Sequence, residues 1–321
     1  MSTESGETIP PDAAALREFA LEGEAAVGAP VAIPPRTRAE RARRVIAIVL
    51  MLLLAVLYIV PLAWTIITSL KTQAEAAAGF DLWPENPSID AYREIWNRPD
   101  LSFVNMFKNS ALFAGSITVI NAFIATLGGY AFARLRFPLR EVLFLLVLAT
   151  LMIPDQLRLV PVYLMMIDFP LTSWNLVATK QGYIFYGASI ALATNLFLMR
   201  QYFLTIPKDY EEAAKLDGAG YFKTYARVML PLAAPAVAAV SILTFQGIWN
   251  EFFWANLLLG QSPNPGDWTV QIGLAQFRFQ YQTLWPELMA AATLAILPVL
   301  VVFIFFQRYF VAGVAAAGVK G

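Results

Sequence analysis

The chain has 321 residues and a formal net charge of zero, and only 14% of its residues are charged against 58% that are hydrophobic. A soluble domain usually carries about 25% charged residues, so this composition argues against a soluble protein. Because the sequence has no cysteine and no histidine, disulfides, thiol nucleophiles, Cys/His metal sites and imidazole catalysis are excluded. We expect no catalytic residue, no metal, no cofactor and no nucleic-acid partner.

Residues 1–44 form a polar tail that is rich in Ala, Glu, Pro and Arg and shows no clear apolar period. We predict that this tail is largely disordered and that its arginine cluster, Arg36 to Arg44, lies at the anionic surface of a membrane. The apolar run that follows is longer than the core of a signal peptide, so it is predicted to remain as a membrane anchor.

Six apolar stretches follow, each near the roughly 20 residues that a helix needs to cross the bilayer. Because a helix satisfies its own backbone hydrogen bonds in lipid, we predict an all-α integral membrane protein with six transmembrane helices. Their predicted bounds are residues 45–70, 109–133, 142–165, 182–203, 230–257 and 288–307. This division leaves an external loop at 71–104, a core at 105–307 and a C-terminal tail at 308–321.

Lysine and arginine are distributed unevenly between the two sides of the predicted membrane. Sixteen of the 23 lie in the N-terminal tail, the second and fourth connections and the C-terminal end. Cytoplasmic loops carry the excess of Lys and Arg, and an even number of spans places both termini on one side. Both termini and the fourth connection are therefore predicted to be cytoplasmic.

The fourth connection contains a short predicted helix over residues 209–218. Asp209 is expected to cap its N-terminus, and Glu212, three residues later, would complete a capping box. Gly218 suits the left-handed conformation that ends a helix. Ala213 and Ala214 are small, so another surface could approach the backbone closely. A helix this short is marginally stable alone, so it is expected to pack on something.

The spacing of residues in this connection is more specific than its composition. Glu-Ala-Ala is followed after three residues by Gly, after nine more by Val, and after one more by Leu-Pro. This pattern resembles the EAA motif of the permeases of binding-protein-dependent ABC importers, and it lies on a predicted cytoplasmic loop between two spans. Its residues are Glu212, Ala213, Ala214, Gly218, Val228, Leu230 and Pro231.

Other segments resemble the carbohydrate-uptake branch of that family, in particular the smaller permease of the maltose/oligosaccharide type. The resemblance runs from residue 45 to the end, and the N-terminal tail is longer than is usual for that subunit. The segments that carry it are Ser69-Leu70-Lys71, Asn109-Ser110, Tyr130–Arg134, Ile206-Pro207, Trp249–Phe252, Gln307–Phe310 and Gly318–Gly321.

The resemblance implies a type I ABC importer permease fold in the cytoplasmic membrane of a prokaryote, with both termini cytoplasmic. The motif would form a coupling helix near residues 209–218, with Glu212 facing the ATPase and Gly218 allowing the turn behind. The implied partners are an ABC ATPase dimer, a second homologous permease, an external solute-binding protein and the lipid bilayer. The segment Gly318–Gly321 resembles the tail that reaches between the two ATPases in maltose-type systems.

The chain has no Gly-Lys dipeptide and hence no phosphate-binding loop of the ATPase type. We therefore expect a transport subunit rather than an enzyme, one that translocates a di- or oligosaccharide while a separate subunit hydrolyses ATP. A polyol or glycerol phosphate stays open as the solute. A stand-alone secondary carrier is the weaker alternative, because no inverted repeat and no set of ion-coupling carboxylates is evident.

Charged residues within a span are costly in lipid and are candidates for the translocation pathway. Asp155 and Arg158 are spaced to pair on one helix face, after a kink expected at Pro154. They would either line the external half of the pathway or form a structural ion pair at the outer interface, and the ion pair is favoured.

Asn250 and Glu251 are two further pathway candidates, at the end of the fifth span among aromatic residues. These aromatics would either stack on a sugar or form a belt at the membrane interface, and the belt is favoured. Three mid-span amides are predicted to form interhelical hydrogen bonds. They are Asn121, Asn195 and Gln246.

Overall fold

The computed structural model describes residues 38–79, 81–98, 102–170, 174–278 and 283–318. Among these residues, β-pairing is limited to two isolated bridges, Phe169 with Trp174 and Arg278 with Thr283. The all-α prediction is therefore confirmed for the part of the chain that the structure describes. The predicted tail before residue 38 and the last three residues of the predicted C-terminal segment lie outside the described residues.

The α-helices are numbered here in chain order. They are α1 Arg38–Thr68, α2 Gln73–Ala78, α3 Asp90–Asn97, α4 Phe103–Arg134, α5 Arg140–Ala149, α6 Asp155–Ile167, α7 Lys180–Gly187, α8 Leu192–Thr205, α9 Asp209–Leu216, α10 Tyr221–Thr224, α11 Leu230–Leu232, α12 Ala234–Trp249, α13 Phe253–Leu259, α14 Val270–Ala275 and α15 Trp285–Gly318. Short 3₁₀ turns follow α5 and precede α14, and a π-helix at Tyr225–Met229 joins α10 to α11.

Within the described residues, four stretches are long and apolar enough to cross a membrane. They are Ala42–Thr68, Phe103–Arg134, Lys180–Thr205 and Trp285–Phe306. Two bent helix pairs raise the number to six if each pair is one span. The last helix, α15, continues to Gly318, so residues 308–318 extend the helix where a separate tail was predicted.

The third predicted span, at 142–165, is not one continuous helix. The segment that begins with α5 ends at Met152, and the chain bends by 108° before the helical segment that reaches Ile167. Pro154 lies at the break. Because proline has no N–H and restricts the residue before it, Ile153 is extended, with φ −87° and ψ 114°. The bend is far sharper than the kink that this proline predicted.

The fifth predicted span, at 230–257, is interrupted twice. Tyr221–Leu232 and Ala234–Trp249 meet at a 76° bend, and Ala233 between them has φ −87° and ψ 3°. Pro235 cannot donate to the carbonyl of Pro231, which removes a hydrogen bond that would continue the helix. At its other end, α12 is separated from α13 by three non-helical residues.

The chain divides into two compact units, residues 1–60 and 61–321. In the first, the described residues belong to α1, and their apolar side chains are exposed; Leu53 and Leu57, for example, are 61% and 66% exposed. A helix that is apolar on all sides and exposed in this way suits contact with lipid, because it satisfies its own backbone.

In the second unit, α4 is the helix against which α8 and α12 pack, and α12 packs in turn on α15. Gly129 allows α4 and α8 to approach closely, since a Cβ at that position would lie 2.6 Å from the Cβ of Met199. At the end where α4 and α15 begin, α3 and α14 share a buried cluster with them that includes Ile95, Phe103 and Phe277.

Two buried amides join the helices at mid-bundle. The Asn195 Nδ2 donates to the Asn121 Oδ1 over 2.6 Å and to the Thr244 Oγ1 over 2.7 Å. The Asn121 Nδ2 donates to the carbonyls of Ala188 and Ile190, at the break between α7 and α8. These bonds confirm the predicted interhelical role of Asn121 and Asn195, and they satisfy backbone groups that the break leaves open.

Candidate functional site

The helix α9 is the element on which the sequence placed most of the motif, and its N-terminus differs from the prediction. Asp209 is the first helical residue, and the residue before it, Lys208, already has helical angles and no side-chain cap. The Lys208 carbonyl accepts from the backbone N–H groups of Glu211 and Glu212 at 2.9 and 3.0 Å. The predicted capping box of Asp209 and Glu212 is therefore wrong. The two carboxylates lie in the first turn of α9, where their negative charge interacts favourably with the positive end of the helix dipole.

The C-terminus of α9 confirms the predicted conformation of Gly218, whose φ is +76°. The N–H of Gly218 donates to the Lys215 carbonyl over 3.0 Å, and the N–H of Ala219 donates to the Ala214 carbonyl over 2.9 Å. This pair of bonds is a Schellman motif, which closes the helix and needs a left-handed residue after it. Glycine adopts that conformation without strain.

The two faces of α9 carry different residues. Glu211 and Ala214 are buried, whereas Glu212 and Ala213 are exposed. Leu216 at the end of the helix is 89% exposed, and in α10 the side chains of Tyr221 and Phe222 are exposed as well. Three large apolar side chains are therefore exposed on α9 and the helix that follows it.

The buried face of α9 is fixed by Arg134, the last residue of α4. Its Nε lies 3.1 Å from the Glu211 Oε1, an ion pair whose angle is not that of a hydrogen bond. Its Nη2 donates to the carbonyls of Phe203 and Ile206, at the end of α8. This contact was not predicted from the sequence, where its only signals are an arginine that closes an apolar span and the doublet Glu211-Glu212.

Leu230 and Pro231, the last residues of the motif, do not lie on the exposed face of α9. They belong to α11, after the π-helix, and line an apolar groove of about 830 Å³ between α4, α12 and α15. The π-helix is anchored by Tyr225, whose hydroxyl lies 2.9 Å from the Thr126 Oγ1 of α4. The structure therefore brings Glu212, Ala213 and Gly218 together and places the Leu-Pro pair at the bend of the fifth span.

A basic cavity of about 1070 Å³ lies beside α9, between the end of α4 and the segment that precedes α9. Its lining includes Arg136, Arg140, Lys208 and Lys215, together with Glu212. Glu212 and these cations make the surface around α9 strongly charged, in contrast with the apolar spans.

The pathway candidates at the third span form the predicted pair. Arg158 Nη2 contacts Asp155 Oδ1 in the first turn of α6, and the two side chains are 41% and 55% exposed. The ion pair is therefore a local contact within one helix, as the i, i+3 spacing implies.

The candidates at the end of the fifth span have different surroundings from those predicted. Glu251 accepts from the backbone N–H groups of Trp254 and Ala255 at 2.8 and 2.7 Å and from the Tyr183 hydroxyl at 3.3 Å. It thus caps the N-terminus of α13. Asn250 is exposed, and its amide donates within its own turn to the Gln246 carbonyl.

Of the four aromatics beside these residues, the two tryptophans are core residues, whereas Phe252 and Phe253 are exposed. Trp249 is 1% exposed and donates from Nε1 to the Ala295 carbonyl over 2.9 Å, and Trp254 is 3% exposed. Neither the sugar-stacking nor the belt interpretation fits these two tryptophans, because both need an open ring. Gln246 is exposed and makes no interhelical bond among the described residues, so its prediction was wrong.

Residues 124–316 match the family described as binding-protein-dependent transport system inner membrane component. The matched range covers α9 with its motif, Arg134 and the spans that follow. The chain belongs to this family. The permease also has named relatives that it resembles over most of its length.

A probable ABC transporter permease of Pyrococcus horikoshii is 32% identical over 83% of this chain and 94% of its own length. The arabinooligosaccharide transport permease AraQ of Bacillus subtilis is 31% identical, over 84% of this chain and 93% of AraQ. The trehalose/maltose transport permease MalG of Thermococcus litoralis is 30% identical, over 88% of this chain and 99% of MalG.

A solved structure gives the fold. A chain of a bacterial ABC transporter involved in the import of the acidic polysaccharide alginate matches with a TM-score of 0.73 at 23% identity, over 86% of this chain and 99% of that chain. The permease therefore has the type I ABC importer permease fold that the sequence predicted.

Proposed function

We propose that this permease translocates a di- or oligosaccharide across the cytoplasmic membrane, driven by ATP hydrolysis in separate ATPase subunits that bind α9. The observation that carries the proposal is the exposed face of α9, where the motif places Glu212, Ala213 and the highly exposed Leu216 in a helix closed by Gly218. A short helix that presents apolar and acidic side chains fits a groove on a partner protein.

The sugar is supported by the functions of the relatives. They include permeases for arabinooligosaccharides, for trehalose and maltose, and for diacetylchitobiose in Streptomyces coelicolor. A polyol or glycerol phosphate is the second candidate solute. An external solute-binding protein is supported by the alginate importer, which was solved with a bound periplasmic protein.

A second permease would cover the groove between α4, α12 and α15. The lining of that groove includes small residues, among them Gly115, Ala122, Ala234 and Ala238, and small residues are typical of helix–helix interfaces in membranes. We further propose that α9 and both termini face the cytoplasm, since the connection that carries α9 is rich in Lys and Arg.

The test is reconstitution of the complex that co-purifies with the permease in vesicles that contain ATP. We expect uptake of one of four labelled probes, namely maltose, trehalose, diacetylchitobiose or an arabinooligosaccharide, and expect uptake to cease without ATP. Uptake that needs no ATP and no second protein would establish a secondary carrier instead. Uptake of glycerol phosphate in preference to all four sugars would reject the sugar and retain the ATP-driven mechanism.

The contact on α9 is tested separately with Leu216→Asp and Glu212→Ala. Both changes lie on the exposed face, so insertion into the membrane should be unaffected, while the ATPase should no longer co-purify with the Leu216→Asp variant. Retention of the ATPase by both variants would contradict binding at this face.

A further inference from the structure

The doublet Glu211-Glu212 divides between the two faces of α9. Glu212 is exposed, whereas the Glu211 side chain is only 11% exposed and lies against Arg134, which is 5% exposed. Two buried charges are costly to desolvate, and a buried ion pair is weak evidence for stability in itself. Such a pair can instead fix one geometry, and here that geometry would be the orientation of α9.

The helix α9 has few other means of holding its orientation. It has eight residues, and a helix of that length does not persist without tertiary contacts. On its buried side, Ala214 offers only a methyl group, so Glu211 is the side chain that reaches farthest into the bundle. The Gly218 turn behind the helix is open, with no atom within 4 Å of a Cβ placed there.

Arg134 connects Glu211 to two spans at once. It is the last residue of α4, and its Nη2 donates to the carbonyls of Phe203 and Ile206. These carbonyls lie at the C-terminal end of α8, where helix carbonyls lack partners within the helix and a cation is favoured. A planar guanidinium can contact all three groups together, which the single ammonium of lysine cannot do in the same geometry.

We propose that Arg134 is a positioning residue for energy coupling, and that its ion pair with Glu211 transmits movement of α9 to the joined ends of α4 and α8. The inference rests on the proposed function, in which an ATPase moves α9. It assigns the two acids separate roles: Glu212 meets the ATPase, and Glu211 passes the movement on to the bundle through Arg134.

The first test compares Glu211→Gln with Asp209→Asn in the reconstituted complex. Both changes remove one negative charge from the first turn of α9, so their effects on the helix dipole are matched, but Asp209 is exposed. The measured quantity is the sugar taken up per ATP hydrolysed, with the sugar of the four that the unmodified complex transports. We expect this ratio to fall about tenfold in Glu211→Gln, a typical size for coupling between sites. It should fall less in Asp209→Asn, whose side chain lies on the exposed face of α9 and does not contact Arg134.

The second test replaces the ion pair with a covalent link. The chain has no cysteine, so the double variant Arg134→Cys/Glu211→Cys carries the only two thiols. Without cross-linker this variant should hydrolyse ATP with little uptake. A short bifunctional maleimide should restore part of the ratio, because it rejoins α9 to α4.

The outcomes separate this inference from the proposed function. If Glu211→Gln keeps the ratio of Asp209→Asn, or if cross-linking leaves the ratio of the double variant unchanged, Arg134 does not transmit the movement. Loss of the ATPase from the Glu211→Gln complex would also overturn the inference, since Glu211 would then belong to the binding face. If Glu211→Gln is not inserted in the membrane, the cross-linked variant decides. Absence of ATP-dependent uptake in the unmodified complex would instead refute the proposed function.

Discussion

One glutamate precedes the fifth span and another lies near its end, and their surroundings differ. Glu212 is exposed on α9, one helical turn before Leu216, which is 89% exposed. Glu251 accepts from two backbone N–H groups of α13 and from the Tyr183 hydroxyl. A carboxylate that already has three donors contributes to the framework of the protein, whereas an exposed one is available to a partner. The comparison shows that the contacts of a charged residue, rather than its place in a span, indicate its role.

The largest effect is expected from Gly218→Val, which changes the region of Glu212. A β-branched residue at φ +76° is strained by roughly 1–2 kcal/mol, so the Schellman turn should open and α9 should lose its position. We expect ATP-dependent uptake to fall to background while the variant still inserts in the membrane, as measured by uptake and by the amount of protein in the membrane fraction.

A nearby glycine provides the control for this substitution. Gly220 has φ −74°, and a Cβ there would meet no atom within 4 Å. Gly220→Ala should therefore transport normally. Normal transport by Gly218→Val as well would mean that the turn behind α9 has no part in coupling.

The predictability of the two regions follows from the range of the interactions that form them. The turn at Gly218 depends on residues within one short segment, so spacing along the chain was sufficient to predict it. The outward-facing Glu212 was expected from the family resemblance, and the capping box predicted from spacing in the same segment was wrong. The contacts of Arg134 with Glu211 and of Trp249 with Ala295 join residues far apart in sequence. No period or motif within either segment specifies such a contact.

The positions of the spans could be predicted from the sequence, but their bends could not. Apolar length located them, because crossing lipid requires about 20 residues in a helix whatever the tertiary structure. The 108° bend near Pro154 and the 76° bend at Ala233 were not predicted in size, since a proline weakens a helix locally while the packing around it determines how far the chain turns.

The next largest effect should come from Glu251→Ala, which tests whether Glu251 stabilises the fold rather than takes part in transport. Removal of the carboxylate leaves the first N–H groups of α13 and the Tyr183 hydroxyl without their acceptor, at a cost of about 1–2 kcal/mol. We expect a lower thermal unfolding temperature in detergent and an unchanged ratio of sugar to ATP. Glu212→Ala should leave the unfolding temperature unchanged and lower the ratio of sugar to ATP. Equal losses of stability in the two variants would contradict the different roles assigned to the two glutamates.

A smaller effect is expected from Asn195→Ala, which tests whether buried amides act like Glu251. The variant loses donors to Asn121 and Thr244, and interhelical hydrogen bonds in membranes contribute about 1 kcal/mol each. Thermal unfolding should show a modest loss of stability. Gln246→Ala is the control, because the Gln246 side chain is exposed; a similar loss in both would contradict the role assigned to the buried amides.

The smallest effect is expected from Asp155→Asn, which tests the half-exposed pair with Arg158. Ion pairs exposed to this extent contribute about 0–1 kcal/mol, and this one lies within the first turn of α6, so thermal unfolding should change little. Uptake should also change little if the pair is only structural. A rise in the sugar concentration needed for half-maximal uptake, with the maximal rate unchanged, would place Asp155 on the pathway, because a residue that contacts the solute affects its binding. In that case a carboxylate paired within its own helix could still serve transport. Internal contacts would then indicate a framework role only for carboxylates that, like Glu251, accept from backbone N–H groups.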